Sequence, residues 1–376
     1  GTIEGNFSYT GSGKIQIFGD GISSILKSIN SSPIFTINGA EGALSQLPDF
    51  QFRGIKFISN DYAIVDLGTR NLRFETCSFI TSGSAIKANY EIDEIASCTF
   101  EGANKGKAIE LSGSGGSSIK NSSFRNFELA IDGIVLKIDS CKFEGSNKGK
   151  AIKLDYGDES SIKNSSFKNF EVAIDGSETG PLKIESCNFE GFGSGSGIYC
   201  GWLDLSTITD SSFKNYDFAI WSGRATELKL ASNSFEACYI TLGLDSDFVK
   251  SFDSNALVFR NCNIFIKGTG SLNIDEDTSK ALSQNVRIPL LKVDKHTKYL
   301  NTNKGEVEEF FEQYETSFTK VINHLAALTN ESDSILRKNL NEQVKFFDLR
   351  KKIDTALSSD PSPENIVESL KLCCLV

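Results

Sequence analysis

Three stretches of the chain share one pattern: Ile119-Lys-Asn-Ser-Ser-Phe-Arg-Asn-Phe-Glu-Leu-Ala-Ile-Asp-Gly133, Ile162-Lys-Asn-Ser-Ser-Phe-Lys-Asn-Phe-Glu-Val-Ala-Ile-Asp-Gly176 and, with more changes, Ile208-Thr-Asp-Ser-Ser-Phe-Lys-Asn-Tyr-Asp-Phe-Ala-Ile-Trp221. A second unit alternates with this one. Its copies are Ser97-Cys-Thr-Phe-Glu-Gly-Ala-Asn-Lys-Gly-Lys-Ala-Ile-Glu-Leu111, Ser140-Cys-Lys-Phe-Glu-Gly-Ser-Asn-Lys-Gly-Lys-Ala-Ile-Lys-Leu154 and the opening of a third, Ser186-Cys-Asn-Phe-Glu-Gly191. Self-similarity of this kind indicates a repeat protein, in which each repeat packs on its neighbours.

Aligning the two units assigns one phenylalanine to each repeat, and neighbouring phenylalanines are 19 to 24 residues apart. That period fits one turn of a β-helix or a leucine-rich repeat. A leucine-rich repeat needs a Leu-x-x-Leu-x-Leu frame, whereas these repeats place short strands around Phe and around Ala-Ile, separated by Gly, Asn and Ser. The sequence therefore predicts a mainly β chain with a single-stranded right-handed parallel β-helix of about ten coils over residues 1–280. The aligned residues are Phe57, Phe79, Phe100, Phe124, Phe143, Phe167, Phe189, Phe213, Phe235 and Phe259.

Stacking the coils about 4.8 Å apart would make the phenylalanines an internal aromatic ladder. Two residues before each Phe, on the same inward face, stands a small side chain, which fits where a larger one would overfill the coil. No Cys-x-x-Cys pair or histidine at ligand spacing accompanies the cysteines, so we expect buried, reduced thiols and neither a metal nor a cofactor. The row comprises Cys77, Cys98, Ser122, Cys141, Ser165, Cys187 and Ser211.

Composition restricts the partners and the compartment. With 49 acidic and 39 basic residues the net charge is −10, which argues against nucleic acid or an anionic lipid surface as the main partner. The longest apolar runs fall far short of the ~18 residues that a membrane helix needs, so the sequence predicts a soluble chain. The N-terminus shows no secretion signal, and reduced thiols favour a reducing cytoplasm. An extracellular location stays open if a leader was removed.

The first coils resemble a known superfamily. Ile17-Phe-Gly-Asp-Gly-Ile-Ser-Ser-Ile-Leu26, Phe35-Thr-Ile-Asn-Gly39 and Phe52-Arg-Gly-Ile-Lys-Phe-Ile-Ser-Asn60 look like the opening coils of the pectate-lyase-like superfamily, which includes pectinases and phage tailspikes. The resemblance implies the right-handed β-helix fold and a polysaccharide lyase or hydrolase as one function. The polygalacturonase motifs Asn-Thr-Asp, Asp-Asp and Gly-His-Gly do not occur, and no clean set of calcium ligands with a basic residue stands out.

One outward row carries the candidate catalytic acids. The residue after each inward Ala-Ile faces outward, and Glu110 and Asp132 would then be adjacent carboxylates about 4.8 Å apart, near the separation in retaining glycosidases. Asp132 and Asp175, two coils apart, would be separated by about 9.6 Å, near the upper end of the range in inverting enzymes. Lys87 and Lys153 flank the acidic pair, so the same row also fits a ladder of cross-strand ion pairs. We favour the ladder.

Aromatic residues follow the acids on the same face. The outward row continues as Tyr199 and Trp221, and Trp202, Tyr216 and Tyr239 lie nearby in the sequence. Exposed aromatics beside acids and amides are typical of surfaces that bind sugars or proteins. We therefore predict a non-catalytic β-helix scaffold that recognises a protein or a polysaccharide. The alternative is a polysaccharide hydrolase or lyase of the tailspike or pectinase type.

The repeat stops near residue 279, and a connector over residues 281–302 leads to a different pattern. Apolar residues recur at helical spacing over residues 306–328 and 332–357, and a short third helix begins near Ser362. The sequence thus predicts a small C-terminal α-helical bundle over residues 303–376. Such a bundle could dock a partner or oligomerise the chain, but we favour a cap on the open end of the β-helix, because exposed strand edges invite aggregation.

The last residues, Cys373-Cys-Leu-Val376, have the form of a prenylation signal, with Cys374 as a second lipid site. Lipidation would require a eukaryotic cytoplasm and would bring the tail into contact with a membrane. A chance ending of the third helix explains the same residues.

Overall fold

The computed structural model shows three long parallel sheets, A, B and C, to which each coil of the chain adds one strand in turn. The strands are numbered in chain order. This arrangement is the predicted parallel β-helix. The structure describes residues 1–21, 23–39, 47–90, 92–113, 116–155, 159–176, 180–224, 227–238, 240–245, 251–255, 257–260, 265–268, 271–274, 292–293 and 298–300.

Sheet A has twelve strands and carries the aligned phenylalanines. Its strands are short because a sharp turn precedes each one and a second turn follows it. They are β1 (Thr2–Glu4), β4 (Ile25–Lys27), β7 (Lys56–Ser59), β10 (Ser78–Thr81), β13 (Thr99–Glu101), β16 (Ser123–Arg125), β19 (Lys142–Glu144), β22 (Ser166–Lys168), β25 (Asn188–Glu190), β28 (Ser212–Lys214), β31 (Ser234–Glu236) and β34 (Val258–Arg260).

Sheet B has thirteen strands and contains the Ala-Ile pairs of the repeat. In strands such as β14, both Ala108 and Ile109 are buried and the residues on either side face outward. The strands are β2 (Phe7–Gly11), β5 (Phe35–Gly39), β8 (Ile64–Asp66), β11 (Ile86–Ala88), β14 (Lys107–Leu111), β17 (Leu129–Gly133), β20 (Lys150–Leu154), β23 (Val172–Gly176), β26 (Ser196–Trp202), β29 (Phe218–Arg224), β32 (Ile240–Asp245), β35 (Phe265–Gly268) and β37 (Lys292–Val293).

Sheet C also has thirteen strands, and its inward residues are mainly Ile, Leu and Phe. Its strands alternate between buried and exposed side chains, the period that the sequence predicts. They are β3 (Lys14–Phe18), β6 (Asp49–Arg53), β9 (Asn71–Glu75), β12 (Glu94–Ala96), β15 (Gly116–Lys120), β18 (Val135–Asp139), β21 (Ser160–Lys163), β24 (Leu182–Glu185), β27 (Ser206–Thr209), β30 (Glu227–Ala231), β33 (Ser251–Asn255), β36 (Ser271–Ile274) and β38 (Lys298–Leu300).

The aromatic ladder is confirmed. From Phe57 to Phe235 the rings of successive coils stack with centroids 4.6 to 5.2 Å apart and are nearly parallel. Phe259 continues the register. Two coils precede the first of these phenylalanines, and Ile3 and Leu26 occupy the equivalent position there. The ladder fixes the register of the whole stack, because a slip by one residue would turn each ring outward.

The row of small inward side chains forms hydrogen bonds along the stack. Ser165 accepts the N–H of Cys141 from the preceding coil at 3.1 Å and donates its hydroxyl to the Lys163 carbonyl at 2.7 Å. The residue before each row member has a left-handed backbone conformation, as in Asn164 with φ 49°. This conformation turns the chain sharply from sheet C to sheet A. The buried backbone N–H at this turn needs a hydrogen-bond acceptor. The residues of this row are therefore selected for this acceptor role as well as for their small size. Asn233 continues the row and accepts from Ser211 at 2.9 Å.

Two kinds of turn lead from sheet A to sheet B, and they explain why two repeat units alternate. The longer turn begins at a glycine, and a Cβ on Gly145 would lie 2.8 Å from a ring carbon of Phe170 in the next coil. Phe170 belongs to the shorter turn. The aromatic ring of each short turn therefore packs over the glycine of the long turn in the preceding coil. Tyr216 covers Gly191 in the same way and is 1% exposed. The predicted binding role of Tyr216 is wrong, because its ring is part of the core.

The six cysteines that the structure describes inside the coils are buried, as predicted. Sheets B and C gain the strands β37 and β38 beyond residue 280. The predicted C-terminal helices, Tyr239, Cys373 and Cys374 lie outside the described residues. Within the described part of the chain, no helix is long and apolar enough to cross a membrane.

Candidate functional site

The outer face of sheet B brings the candidate acids and aromatics into one row. Each member lies directly opposite the next in the neighbouring coil, as the repeat predicts. The row is Lys87, Glu110, Asp132, Lys153, Asp175, Tyr199 and Trp221. Charged residues occupy its first five coils, and aromatic residues occupy the last two.

The acids of this row are held in a ladder of ion pairs. The Lys107 ammonium lies 2.6 Å from Asp132 Oδ2 and 3.7 Å from Glu110 Oε1. Lys87 lies 3.6 Å from the same oxygen of Glu110, and Lys153 lies 3.6 Å from Asp132 Oδ1. Desolvation would lower the pKa of Lys107, but the hydrogen bond and the charge of Asp132 outweigh it and raise that pKa. Glu110 and Asp132 therefore share the Lys107 ammonium, and their contacts favour its charged form.

Tyr62 adds a hydrogen bond to the first part of the ion-pair ladder, although it lies two coils away from Glu110. Its hydroxyl donates a hydrogen bond of 2.8 Å to Glu110 Oε2. Burial, the hydrogen bond to Glu110 and the negative charge of that residue raise the pKa of Tyr62 to about 12. The sequence did not point to Tyr62, because it lies in a turn and reaches Glu110 across an intervening coil.

Asp175 is buried and forms an ion pair with Lys150, which projects from the preceding coil of sheet B. The same relation joins Lys107 to Asp132, so the two copies of the repeat build the same contact twice. Lys107 and Lys150 are the ladder members that sequence reasoning missed. Their place at the start of each Lys-Ala-Ile motif was the signal that could have identified them.

One coil exposes an apolar patch, which we define as Phe192, Tyr199, Trp202 and Leu205. The exposed fractions of these side chains are 38%, 45%, 36% and 57%, respectively. Phe192 lies in the turn before β26, Tyr199 and Trp202 lie in β26, and Leu205 lies in the turn after it. The patch thus crosses sheet B from one edge to the other within a single coil.

Trp221 lies opposite Tyr199 in the next coil and is half-buried. Its ring packs edge-to-face on Phe218, with centroids 5.1 Å apart. This contact holds the indole ring in place beside the patch. Sequence reasoning had placed Tyr199, Trp202 and Trp221 together, and the structure does so. It missed Phe192 and Leu205, because turn residues lie outside the alternation of the strands.

A comparison of the three copies of the repeat shows what is special about this coil. The first two copies carry Lys105 and Lys148 in the long turn, where the third carries Ser194. Lys107 and Lys150 begin the following strand in the first two copies, and Ser196 stands in register with them in the third. Phe192 replaces Ala103 and Ser146. The third copy therefore has serines in place of these lysines and a phenylalanine in its turn, and its strand β26 is longer, with 7 residues against 5 in β14 and β20.

The outer faces of sheets A and C differ from this patch. The outward row of sheet A alternates in charge from coil to coil as Glu101, Arg125, Glu144, Lys168, Glu190, Lys214 and Glu236. On sheet C, Lys120, Asp139, Lys163 and Glu185 alternate in the same way. Rows of neutralised charge offer little apolar area to a partner, which distinguishes the patch on sheet B from both. No group of metal-ligating side chains occurs within the described ranges.

Comparison with known proteins agrees with the fold. A family model described as "Right handed beta helix region" matches residues 57–235 and 129–288, which together cover more than half of the chain. No curated protein and no solved structure matches the chain.

Proposed function

The chain belongs to the right-handed β-helix family, and from this premise we propose that it is a non-catalytic binding protein that recognises a macromolecule through the outer face of sheet B. A β-helix supplies a rigid frame and leaves function to the side chains that the frame displays. The family relation therefore directs attention to the surface. It does not by itself assign an activity.

The observation that carries the proposal is the patch itself. Four large apolar side chains are exposed within one coil, although the two preceding copies carry charged or small residues at the positions of Phe192, Tyr199 and Leu205, and Gly113 and Tyr156 at the position of Trp202. Large exposed apolar side chains that are grouped on one part of a protein surface mark interaction sites more often than single scattered ones do. Aromatic anchors such as Tyr199 and Trp202 are also the residue types that contribute most to binding energy at interfaces.

The ion-pair ladder supports binding over catalysis. A general acid or nucleophile must be able to approach the substrate, but Asp132 is held by Lys107 at 2.6 Å and Asp175 is buried beneath Lys150. A substrate would have to displace both ammonium groups. The charged part of the row therefore fits a structural role, and the aromatic part fits the binding role.

The proposal is tested by placing a photo-crosslinking phenylalanine derivative at position 199. Tyr90 is the matched control position, because it is 42% exposed and lies on a different coil. We expect adducts with a polysaccharide from a defined panel, or with a protein partner, from position 199 and not from position 90. Adducts of equal yield from both positions would show that the patch has no special role.

A further inference from the structure

We propose that Cys77 and Cys98 form a disulfide bond when the chain folds in an oxidising compartment. The two residues hold the same position in consecutive coils, directly before the strands β10 and β13. The proposal is independent of the proposed function, because these coils lie four or more coils before the patch. It assigns a covalent modification to two members of the row of small inward side chains.

The row of small inward side chains alternates between cysteine and serine from coil to coil. Cysteine belongs to the repeat unit with the long turn, and serine belongs to the unit with the short turn. No two cysteines of this stretch therefore stand in consecutive coils. The alternating residues are Cys98, Ser122, Cys141, Ser165, Cys187 and Ser211.

Cys77 departs from this alternation. In its coil Ala85 follows Phe79 by six residues, which is the spacing of the short-turn unit, whereas the long-turn unit has eight. The turn therefore predicts a serine at position 77, but the residue is cysteine. Within the described residues, Cys77 and Cys98 are the one pair of cysteines that hold the same position in consecutive coils.

The geometry of the pair fits a disulfide bond. Ser78 and Thr99, which follow the two cysteines, are paired in register, and neighbouring strands lie about 4.8 Å apart. A disulfide bond needs Cα atoms roughly 4.4–6.8 Å apart. The backbone N–H of Cys77 also donates a hydrogen bond to Cys98 Sγ at 3.4 Å. The thiol of Cys98 therefore already points toward Cys77.

The two thiols are in contact with each other inside the core. The hydrogen bond between them lowers the pKa of Cys77 and raises the pKa of Cys98, to which burial also contributes. The exposed fractions of Cys77 and Cys98 are only 2% and 1%. The bond therefore forms during folding, or when these coils open locally, because the closed stack excludes an oxidant. The same burial then protects the bond from reductants.

The oxidant is a low-molecular-weight disulfide such as oxidised glutathione. The thiolate of one cysteine attacks a sulfur of this oxidant, whose S–S bond breaks, and one small thiol leaves. The thiolate of the other cysteine then attacks the protein sulfur of the mixed disulfide and releases the second small thiol. Cys77 and Cys98 together lose two electrons and two protons, and the small disulfide is reduced to two thiols.

The test is the refolding of the full chain in a glutathione redox buffer, followed by alkylation of free thiols and digestion with trypsin. Cleavage after Lys87 separates the two cysteines, so a disulfide bond leaves their peptides linked. We expect mass spectrometry to detect the Cys77–Cys98 peptide pair, about 2 Da lighter than its two reduced peptides together. Cys77→Ser should remove this pair, and the other short-turn coils already carry serine at this position.

Cys141→Ser is the matched control, because it removes a cysteine of the same row that has serine in both neighbouring coils. It should keep the linked peptides. Urea unfolding should show a higher midpoint for the oxidised than for the reduced form of the wild type and of Cys141→Ser, because the bond restricts the unfolded chain. Cys77→Ser should show the same midpoint from both buffers. Complete alkylation of Cys77 and Cys98 in the refolded wild type, or equal linkage of Cys77 to other cysteines, would overturn the proposal.

Discussion

The guanidinium group of Arg125 in β16 lies 3.1 Å from the carboxylate of Glu144 in β19, one coil further along sheet A. Lys168 and Glu190 repeat this contact at 3.2 Å two coils later. Opposite charges therefore alternate along the stack with a period of two coils, which is also the period of the repeat. Opposite charges across neighbouring strands stabilise a sheet, and like charges in the same place destabilise it.

The first prediction follows from this alternation. Deletion of residues 140–185 removes two coils and brings Arg125 opposite Glu190, so the alternation is retained. Deletion of residues 140–163 removes one coil and places like charges opposite each other on all three sheets. The new pairs are Arg125 with Lys168, Asp132 with Asp175, Lys137 with Lys183, and Asp139 with Glu185.

We expect the two-coil deletion to unfold at nearly the wild-type temperature and the one-coil deletion to unfold well below it, although it loses less core. Four like-charged pairs would cost about 1–4 kcal/mol together, at roughly 0.2–1 kcal/mol each. Thermal unfolding followed by circular dichroism measures the difference. Added salt should reduce this difference in unfolding temperature, because it screens the exposed charges. A one-coil deletion as stable as the two-coil deletion would show that the charge ladders have no role in register.

The second prediction concerns the buried hydroxyl of Tyr216. Among the described residues this hydroxyl has no hydrogen-bond partner, although it is buried. The equivalent residue in the two preceding repeats is phenylalanine, Phe127 and Phe170. Tyr216→Phe should therefore raise the free energy of unfolding by about 1–3 kcal/mol, because it removes an unsatisfied polar group.

The reciprocal variant is the control. Phe170→Tyr should lower the free energy of unfolding, because it introduces the same unsatisfied hydroxyl one repeat earlier. Urea unfolding of both variants measures the two changes. A loss of stability in Tyr216→Phe would reveal that the hydroxyl has a partner.

The third prediction concerns Asp66, which is fully buried at the end of β8. Its carboxylate accepts the N–H of Gly68 at 3.0 Å and the hydroxyl of Thr69 at 2.6 Å, but burial outweighs these bonds and raises the pKa of Asp66. The folded state therefore binds this proton more tightly than the unfolded state does. The contribution of Asp66 to stability is full below the unfolded pKa of about 3.9 and is lost as the pH rises through the folded pKa.

Asp66→Asn should remove this dependence, since an amide keeps an acceptor for Gly68 and gains a donor for Thr69. We expect the stability of Asp66→Asn relative to the wild type to increase as the pH rises above about 4. Asp49→Asn is the control, because hydrogen bonds from Arg70 lower the pKa of Asp49. The stability of Asp49→Asn relative to the wild type should therefore decrease as the pH rises. Urea midpoints over a pH series measure both. Parallel curves for Asp66→Asn and the wild type would contradict the raised pKa.

The contrast between Tyr199 and Tyr216 shows how far the sequence predicts this protein. Aligning the phenylalanines determined which residue lies opposite which, so the whole outward row of sheet B, including Tyr199, followed from the sequence alone. Tyr216 was misplaced because it was judged by its residue type, whereas its alignment with Phe127 and Phe170 indicated the core. Phe192 and Leu205 could not be predicted, because the paths of the turns depend on packing between coils. The reach of Tyr62 to Glu110 depends on such packing as well.

The last prediction addresses the charged part of the outward row. Asp132→Asn removes the carboxylate that Lys107 and Lys153 share, but Lys107 keeps Glu110 at 3.7 Å and Lys153 keeps Asp155 at 2.7 Å. We therefore expect a loss of stability of about 1 kcal/mol or less, as for a partly exposed ion pair. Binding of any ligand to the patch should stay unchanged, because the patch is three coils away. Assays for reducing ends on a panel of polysaccharides should detect no product from the wild type. Release of reducing ends by the wild type that is abolished in Asp132→Asn would show that the acidic row is catalytic and that the ion pairs open during turnover.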